Sequence, residues 1–228
     1  MKTGIIVAMQ SEFDLIKSIL HNPVQKQHNH ITFIEGNIDN NTIVLMKSGI
    51  GKVNAACACV EMINIFKPDI IINTGVAGGI DKKLSVMDIV LASKTTYHDV
   101  WCGEECQRGQ VQDLPAEFEG DKKLIEFAQT IDTDLKIHTG LIVGGDVFVT
   151  DIETLNDIKA KFPSALAVDM ESTAISQVCY LYNVPFLTVR IISDTPGIEN
   201  HYKQYFDFWN KAPEKSVETI KKILQCYI

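Results

Sequence analysis

Short, unbroken apolar runs alternate along this chain with stretches whose apolar residues recur three or four positions apart. The runs Thr3–Ala8, Asp69–Asn73, Met87–Ala92, Lys136–Val143, Ala165–Val168 and Phe186–Ile192 have the length and continuity of strands buried on both faces. Between them lie helical segments. One starts near Ser11, with Phe13, Ile16, Ile19 and Leu20 on one stripe; others cover Val53–Phe66, Lys122–Thr130, Ile152–Lys161, Ser172–Leu181 and about Glu214–Gln225. Lys67–Pro68 stops the second helix, because the residue before a proline is pushed out of helical geometry. Ile31–Glu35 and Thr42–Lys47 read as two strands joined through the polar turn Asp39-Asn40-Asn41. Regular strand–helix alternation predicts an α/β fold: a three-layer α/β/α sandwich around a mixed, mainly parallel central sheet. No linker, repeat or low-complexity tract divides residues 1–228, so one domain is expected.

Composition narrows the partners. Twenty-one Lys and Arg against 29 Asp and Glu give a formal net charge of -8, the wrong sign for following a nucleic-acid backbone. The N-terminal apolar stretch Gly4–Met9 is short and runs into Glu12 and Asp14, unlike a signal peptide. No run approaches the length of a membrane-spanning helix. The six cysteines read as reduced thiols of a cytoplasmic protein. Cys102 and Cys106 have no second pair at zinc spacing, so no metal site is expected.

Ligands of α/β sheets bind beyond the carboxyl ends of the strands. That rule selects Met9–Glu12, Ser48–Lys52, Thr74–Gly79, Gly144–Val149, Asp169–Glu171 and Ser193–Pro196. Ser48-Gly49-Ile50-Gly51-Lys52 resembles a phosphate loop only in part: Met46 replaces the leading glycine and Val53 the magnesium-binding hydroxyl. Gly75-Val76-Ala77-Gly78-Gly79 lacks the dinucleotide spacing. Both stretches serve equally as tight turns or as places where a ligand approaches backbone amides. Glu12 lies in the first turn of its helix, where the dipole field stabilises an acid and helps keep a base ionised. Glu171 has the same two readings, and Asp194 is also able to cap the turn at Thr195-Pro196-Gly197. Together, three acids at strand ends beside Met9, Phe148 and Met170 form a flat apolar slot lined with carboxylates, suited to a neutral heterocycle joined to a sugar. Met170 and Phe148 equally suit the core. His98 and Asp99, adjacent on a strand, point to opposite faces and read as structural.

In this order and spacing, the residues resemble the 5'-methylthioadenosine/S-adenosylhomocysteine nucleosidases of the purine nucleoside phosphorylase superfamily. The matching positions include Ala8-Met9 with Glu12, Ser48–Val53, Lys67-Pro68-Asp69, Asn73-Thr74-Gly75, Ala77-Gly78-Gly79, Tyr97-His98-Asp99, Gly145-Asp146 with Phe148, Ala167–Glu171, Asn183-Val184-Pro185, Arg190 and Ser193-Asp194. The resemblance implies a nucleoside phosphorylase-like fold, a homodimer, no metal or organic cofactor, and hydrolysis of the N-glycosidic bond to release adenine and a thioribose. It gives Asp194 the role of acid toward the purine N7 and Glu12 that of base toward water. Glu171 would accept from the ribose 2'-hydroxyl, Met170 pack on the sugar, Phe148 stack on adenine, and Val149 and Gly78 contact the base. Arg190 would organise the water and carboxylates, while Met9, Ile50 and Phe206 line the ribose and alkylthio end.

The chemistry requires such groups. Adenine leaves poorly as an anion, so protonation accompanies cleavage, and nearby carboxylates stabilise an oxocarbenium-like sugar. Asp194 has to start protonated and Glu12 charged. Val76, where the family usually has Ser, Asp169, where it has Glu, and the segment Val100–Gln112 depart from the family pattern. The alternatives are a phosphate-dependent phosphorylase of the same fold, which needs cations, and a futalosine-type nucleosidase; a non-catalytic nucleoside binder is the reading from another class.

Overall fold

The computed structural model describes residues 1–29, 31–195, 203–205, 208 and 213–226. Its elements run β1 (Lys2–Val7), α1 (Gln10–Ser18), β2 (His21–His28), β3 (Ile31–Ile38), β4 (Asn41–Lys47), α2 (Lys52–Phe66), β5 (Ile70–Gly79), β6 (Ile89–Tyr97), β7 (Phe118–Glu119), α3 (Lys122–Ala128), β8 (Ile137–Gly144), α4 (Ile152–Lys161), β9 (Ala165–Asp169), α5 (Ser172–Tyr182), β10 (Phe186–Asp194) and α6 (Pro213–Cys226). The strands join one mixed sheet in the order β10-β6-β8-β9-β5-β1-β4-β3-β2, with β7 on β6. Parallel pairs hold its middle, β4–β1–β5–β10, and antiparallel pairs build the β2–β3–β4 hairpins at one edge.

Both sheet faces are apolar because successive residues of the central strands are hydrophobic and point to opposite sides. Ile5 and Val7 of β1 join a core with α1, α3 and α6, while Ile6, between them, packs with α2 and α5. This is the expected three-layer arrangement. Leu141, Val143 and Ala165 support α4 through Ile158 and Phe162.

Three features were not apparent in the sequence. β2 is an exposed edge strand whose residues, HNPVQKQH, carry no hydrophobic alternation. The glycine stretch Gly75–Gly79 is not a loop but the second half of β5. There β5 exchanges neighbours: Ile70–Asn73 pairs with β1, whereas Gly78 and Gly79 pair antiparallel with Val168 and Ala167 of β9. Since β10 pairs with both β5 and β6, the strands β5, β10, β6, β8 and β9 close into a ring. All five contribute to one small-residue cluster that includes Ala77, Ala92, Ala167, Val90, Ile142 and Ile192. The carboxyl ends of β1, β5, β9 and β10 meet where β1 leaves this ring, and there the sheet opens into a cleft.

Candidate active site

The cleft encloses about 630 Å³ including its open mouth, within the range of small-molecule sites. Met9, Glu12, Ile50, Gly78, Phe148, Val149, Met170, Glu171 and Asp194 line it, together with Ala8, Val76, Ala77, Val147, Val168, Asp169, Ser193 and Tyr205. Every described residue to which the resemblance gives a role in the site is therefore in the wall, except Arg190. Phe206 lies outside the described residues. Its neighbour Tyr205 does line the cleft: its hydroxyl lies 3.3 Å from Met9 Sδ, and its ring meets Phe148 edge-on at 5.9 Å.

The floor is polar and buried. Glu12, third residue of α1, reaches back so that Oε2 accepts the amides of Ala8 (3.0 Å) and Met9 (2.9 Å), while Oε1 accepts that of Val76 at 3.1 Å. Glycine at position 75 makes room for this: a Cβ there would stand 2.5 Å from Glu12 Oε1 and 3.3 Å from Arg190 Nη1. The helix field alone suggested an easily ionised Glu12. Burial reverses that, and the carboxyl lies above its ordinary value although the Met9, Val76 and Ala8 amides and the Arg190 charge pull it down.

Arg190 stands behind the wall, only 2% exposed. Its Nε donates to Asp169 Oδ2 at 2.7 Å and Nη2 to Asn73 Oδ1 at 2.6 Å, with Glu171 Oε2 at 4.0 Å. Burial works against its charge, but Asp169, Glu171 and Glu12 together hold the guanidinium above its ordinary value. Among the described residues Nη1 has no hydrogen-bond partner. Asp169 Oδ1 takes the amide and hydroxyl of Ser172, at 3.2 and 2.8 Å, so Asp169 bridges β9, α5 and Arg190. Glu171 Oε1 accepts the Gly51 amide at 2.9 Å, and burial with the Asp169 charge pushes its carboxyl up to about 7. Ser193 Oγ donates to Asp194 Oδ1 at 2.7 Å, and Asp194 is buried.

The sequence reading gives no individual site role to Asn73, to Tyr205 or to Gly75, which it sees only as part of a glycine turn. Asn73 had a usable signal, an amide side chain inside the Ile-rich strand β5; it also donates to the Ile6 carbonyl at 3.0 Å, tying β5 to β1. Gly75 and Tyr205 had none, since their importance lies in what approaches them in space.

His98 and Asp99 do not point to opposite faces. β6 ends at Tyr97, so two-residue alternation has ceased, and both side chains flank the Cα of Gly145. Among the described residues no group of three or more His, Cys, Asp or Glu is placed to hold a metal ion, and no helix is long and apolar enough to cross a membrane. Cys57, Cys59, Cys102, Cys106 and Cys179 are free thiols.

The whole chain, and not the cleft alone, matches known proteins. The phosphorylase superfamily model matches residues 2–228. A 5'-methylthioadenosine/S-adenosylhomocysteine nucleosidase of Staphylococcus aureus strain MRSA252 is 40% identical over 224 residues, covering 97% of this chain and 98% of that one. The chain belongs to this nucleosidase family. Solved nucleosidases superpose accordingly. That of Colwellia psychrerythraea, in complex with adenine, has a TM-score of 0.94 at 37% identity, covering 99% of this chain and 96% of that one. That of Neisseria meningitidis, in complex with methylthio-immucillin-A, has a TM-score of 0.92 at 36% identity, with 98% of each chain covered.

Proposed function

We propose that this nucleosidase hydrolyses the N-glycosidic bond of 5'-methylthioadenosine and S-adenosylhomocysteine, releasing adenine with methylthioribose or ribosylhomocysteine. One observation carries the reading: Glu12, Asp169, Glu171 and Asp194 line an otherwise apolar cleft, and no Lys, Arg or His is among the described residues of its wall. Such a surface stabilises a sugar that becomes cationic and repels an anionic nucleophile such as phosphate. It thereby favours water over phosphorolysis.

Asp194 gives a proton to the purine N7 as the C1'–N9 bond breaks and its electron pair passes to the base. Glu12 takes a proton from the water whose oxygen bonds to C1'. A carboxyl raised by burial is a stronger base than an exposed one, and the three amides fix its direction. Passage of the proton from Glu12 back to Asp194 restores the starting state. Arg190 holds Asp169 and steadies the carboxylates, with Nη1 facing the Glu12 side of Gly75. Glu171 accepts from the ribose 2'-hydroxyl and Met170 packs on the sugar. Phe148 stacks on adenine, Val149 and Gly78 contact the base, and Met9, Ile50 and Tyr205 line the ribose and alkylthio end.

We take the enzyme to work as a cytoplasmic homodimer without a cofactor. The exposed Ile50, Val53, Val147 and Ile152 near the mouth support association, and the free thiols suit a reducing compartment. Size-exclusion chromatography with light scattering checks the dimer. The function itself is tested by incubating the protein with 5'-methylthioadenosine, S-adenosylhomocysteine and inosine in phosphate-free buffer and separating the bases. Adenine from the first two and little hypoxanthine from the third is the expected result; no adenine from either thioether nucleoside contradicts the assignment.

A further inference from the structure

Behind the cleft, and not part of its wall, three charged residues join the segment bearing Phe148 and Val149 to the segment facing Glu171. Lys52 opens α2, immediately after the Gly51 amide that binds Glu171. Its own amide donates to Asp146 Oδ1 at 2.7 Å, and its ammonium donates to Asp99 Oδ2 at 2.7 Å. The same Asp99 oxygen accepts the Asp146 amide at 2.9 Å. The circuit is closed: each of the three residues is bonded to the other two. His98 reinforces it through its amide, which donates to the Gly144 carbonyl at 2.9 Å.

The fit around this circuit is close. A Cβ on Gly145 would stand 2.8 Å from Asp99 Cγ and collide with the His98 ring. One on Gly51 would stand 3.0 Å from Asp146 Oδ1, at a backbone φ of +95° that L side chains rarely adopt. Lys52 and Asp99 side chains are only 25% and 21% exposed, and the ammonium also lies 5.4 Å from the centre of the Tyr97 ring. The pair is thus better shielded than an ordinary surface ion pair.

We infer that Asp99 and Lys52 are positioning residues that lock the base-contacting segment Gly144–Val149 onto Gly51, whose amide holds the sugar-contacting Glu171, setting how tightly the nucleoside is held while taking no part in bond cleavage. The inference rests on the assignment of base and sugar ends made above. Its physical basis is a separation of supports. Glu12 accepts the amides of Ala8, Met9 and Val76, and Asp194 accepts from Ser193, supports that lie outside this circuit. Phe148 and Val149 follow Asp146 directly and do depend on it. Loosening their segment weakens contacts made in ground and transition states alike, which raises KM and spares kcat.

The test measures kcat and KM for 5'-methylthioadenosine, and adenine affinity by calorimetry, in wild type, Asp99→Ala, Asp99→Asn, Lys52→Met and Lys52→Met/Asp99→Ala. Expected is a roughly tenfold rise in KM and in adenine Kd for Asp99→Ala with kcat changed less than about threefold. Asp99→Asn keeps an oxygen for the Asp146 amide and should fall between wild type and Asp99→Ala. The double variant should be no worse than Asp99→Ala alone. If Asp99→Ala does not fold, Lys52→Met, which leaves the Asp99–Asp146 bond in place, decides by the same criterion. An unchanged KM in the folded variants, or a fall in kcat without a rise in KM, overturns the inference. Failure of the wild type to release adenine or bind it would instead overturn the function on which it rests.

Discussion

The floor and the rim of the cleft are built by opposite means. The floor consists of acids at strand ends, fixed by backbone amides and by an arginine that is itself enclosed. The rim consists of apolar side chains on connecting segments: Ile50 is 53% exposed, Phe148 48% and Val147 43%. Charges need burial and a rigid frame for their proton affinities to be tuned, whereas a rim has to admit and release a flat ligand. On the proposed function, the contrast assigns chemistry to the floor and affinity to the rim.

The largest effect should come from the floor. Glu12→Gln and Asp194→Asn should each lower kcat for adenine release by about 10²–10⁴-fold with KM changed far less. Circular dichroism should show the fold retained. Next is the frame behind the floor. Arg190→Met leaves Asp169, Glu171 and Glu12 facing one another without a cation, and loss of one partner from a buried pair costs about 3–5 kcal/mol; urea unfolding should register it alongside a fall in kcat. At the rim, Phe148→Ala should raise KM roughly tenfold with kcat nearly intact, because base stacking contributes about 1–3 kcal/mol. A large fall in kcat from Phe148→Ala would erase the distinction between floor and rim.

The smallest effect is a pH dependence of stability. Glu171 titrates near 7 in the folded protein against an ordinary 4.5. Between these values the folded state binds more protons than the unfolded one, so this group's contribution is full below pH 4.5 and is lost as pH rises through about 7. Glu12, also raised, acts in the same direction. Melting temperature of the free enzyme should therefore carry a downward contribution across this window, and Glu171→Gln should flatten the slope.

The same contrast explains what could be read in advance. Strand-end acids are legible in part because the strands β1 and β10, both parallel to β5, present their carboxyl ends on one side, which brings Glu12 and Asp194 into one cleft; Glu171 joins them because β9 meets the end of β5 antiparallel. Helices with continuous stripes, such as Val53–Phe66, were recognised almost to the residue. Ring closure was not legible, because the exchange of β1 for β9 along β5 is encoded in a glycine-rich stretch indistinguishable from a loop. β2 was missed because an exposed edge strand needs no apolar face. Gly75 escaped for a related reason, since nothing local says that a carboxylate from α1 will rest on its Cα. The side-chain direction of Asp99, read as structural in the sequence, was not legible because strand alternation does not extend past Tyr97, where β6 stops.

Water, guided by acids, is the nucleophile that attacks the sugar in the proposed reaction. This is tested most directly by measuring adenine release from 5'-methylthioadenosine while phosphate is raised from zero, with the sugar product identified at each concentration. A rate independent of phosphate and free methylthioribose throughout is the predicted result. A rate that rises from zero and saturates with phosphate, accompanied by a sugar phosphate, would contradict it.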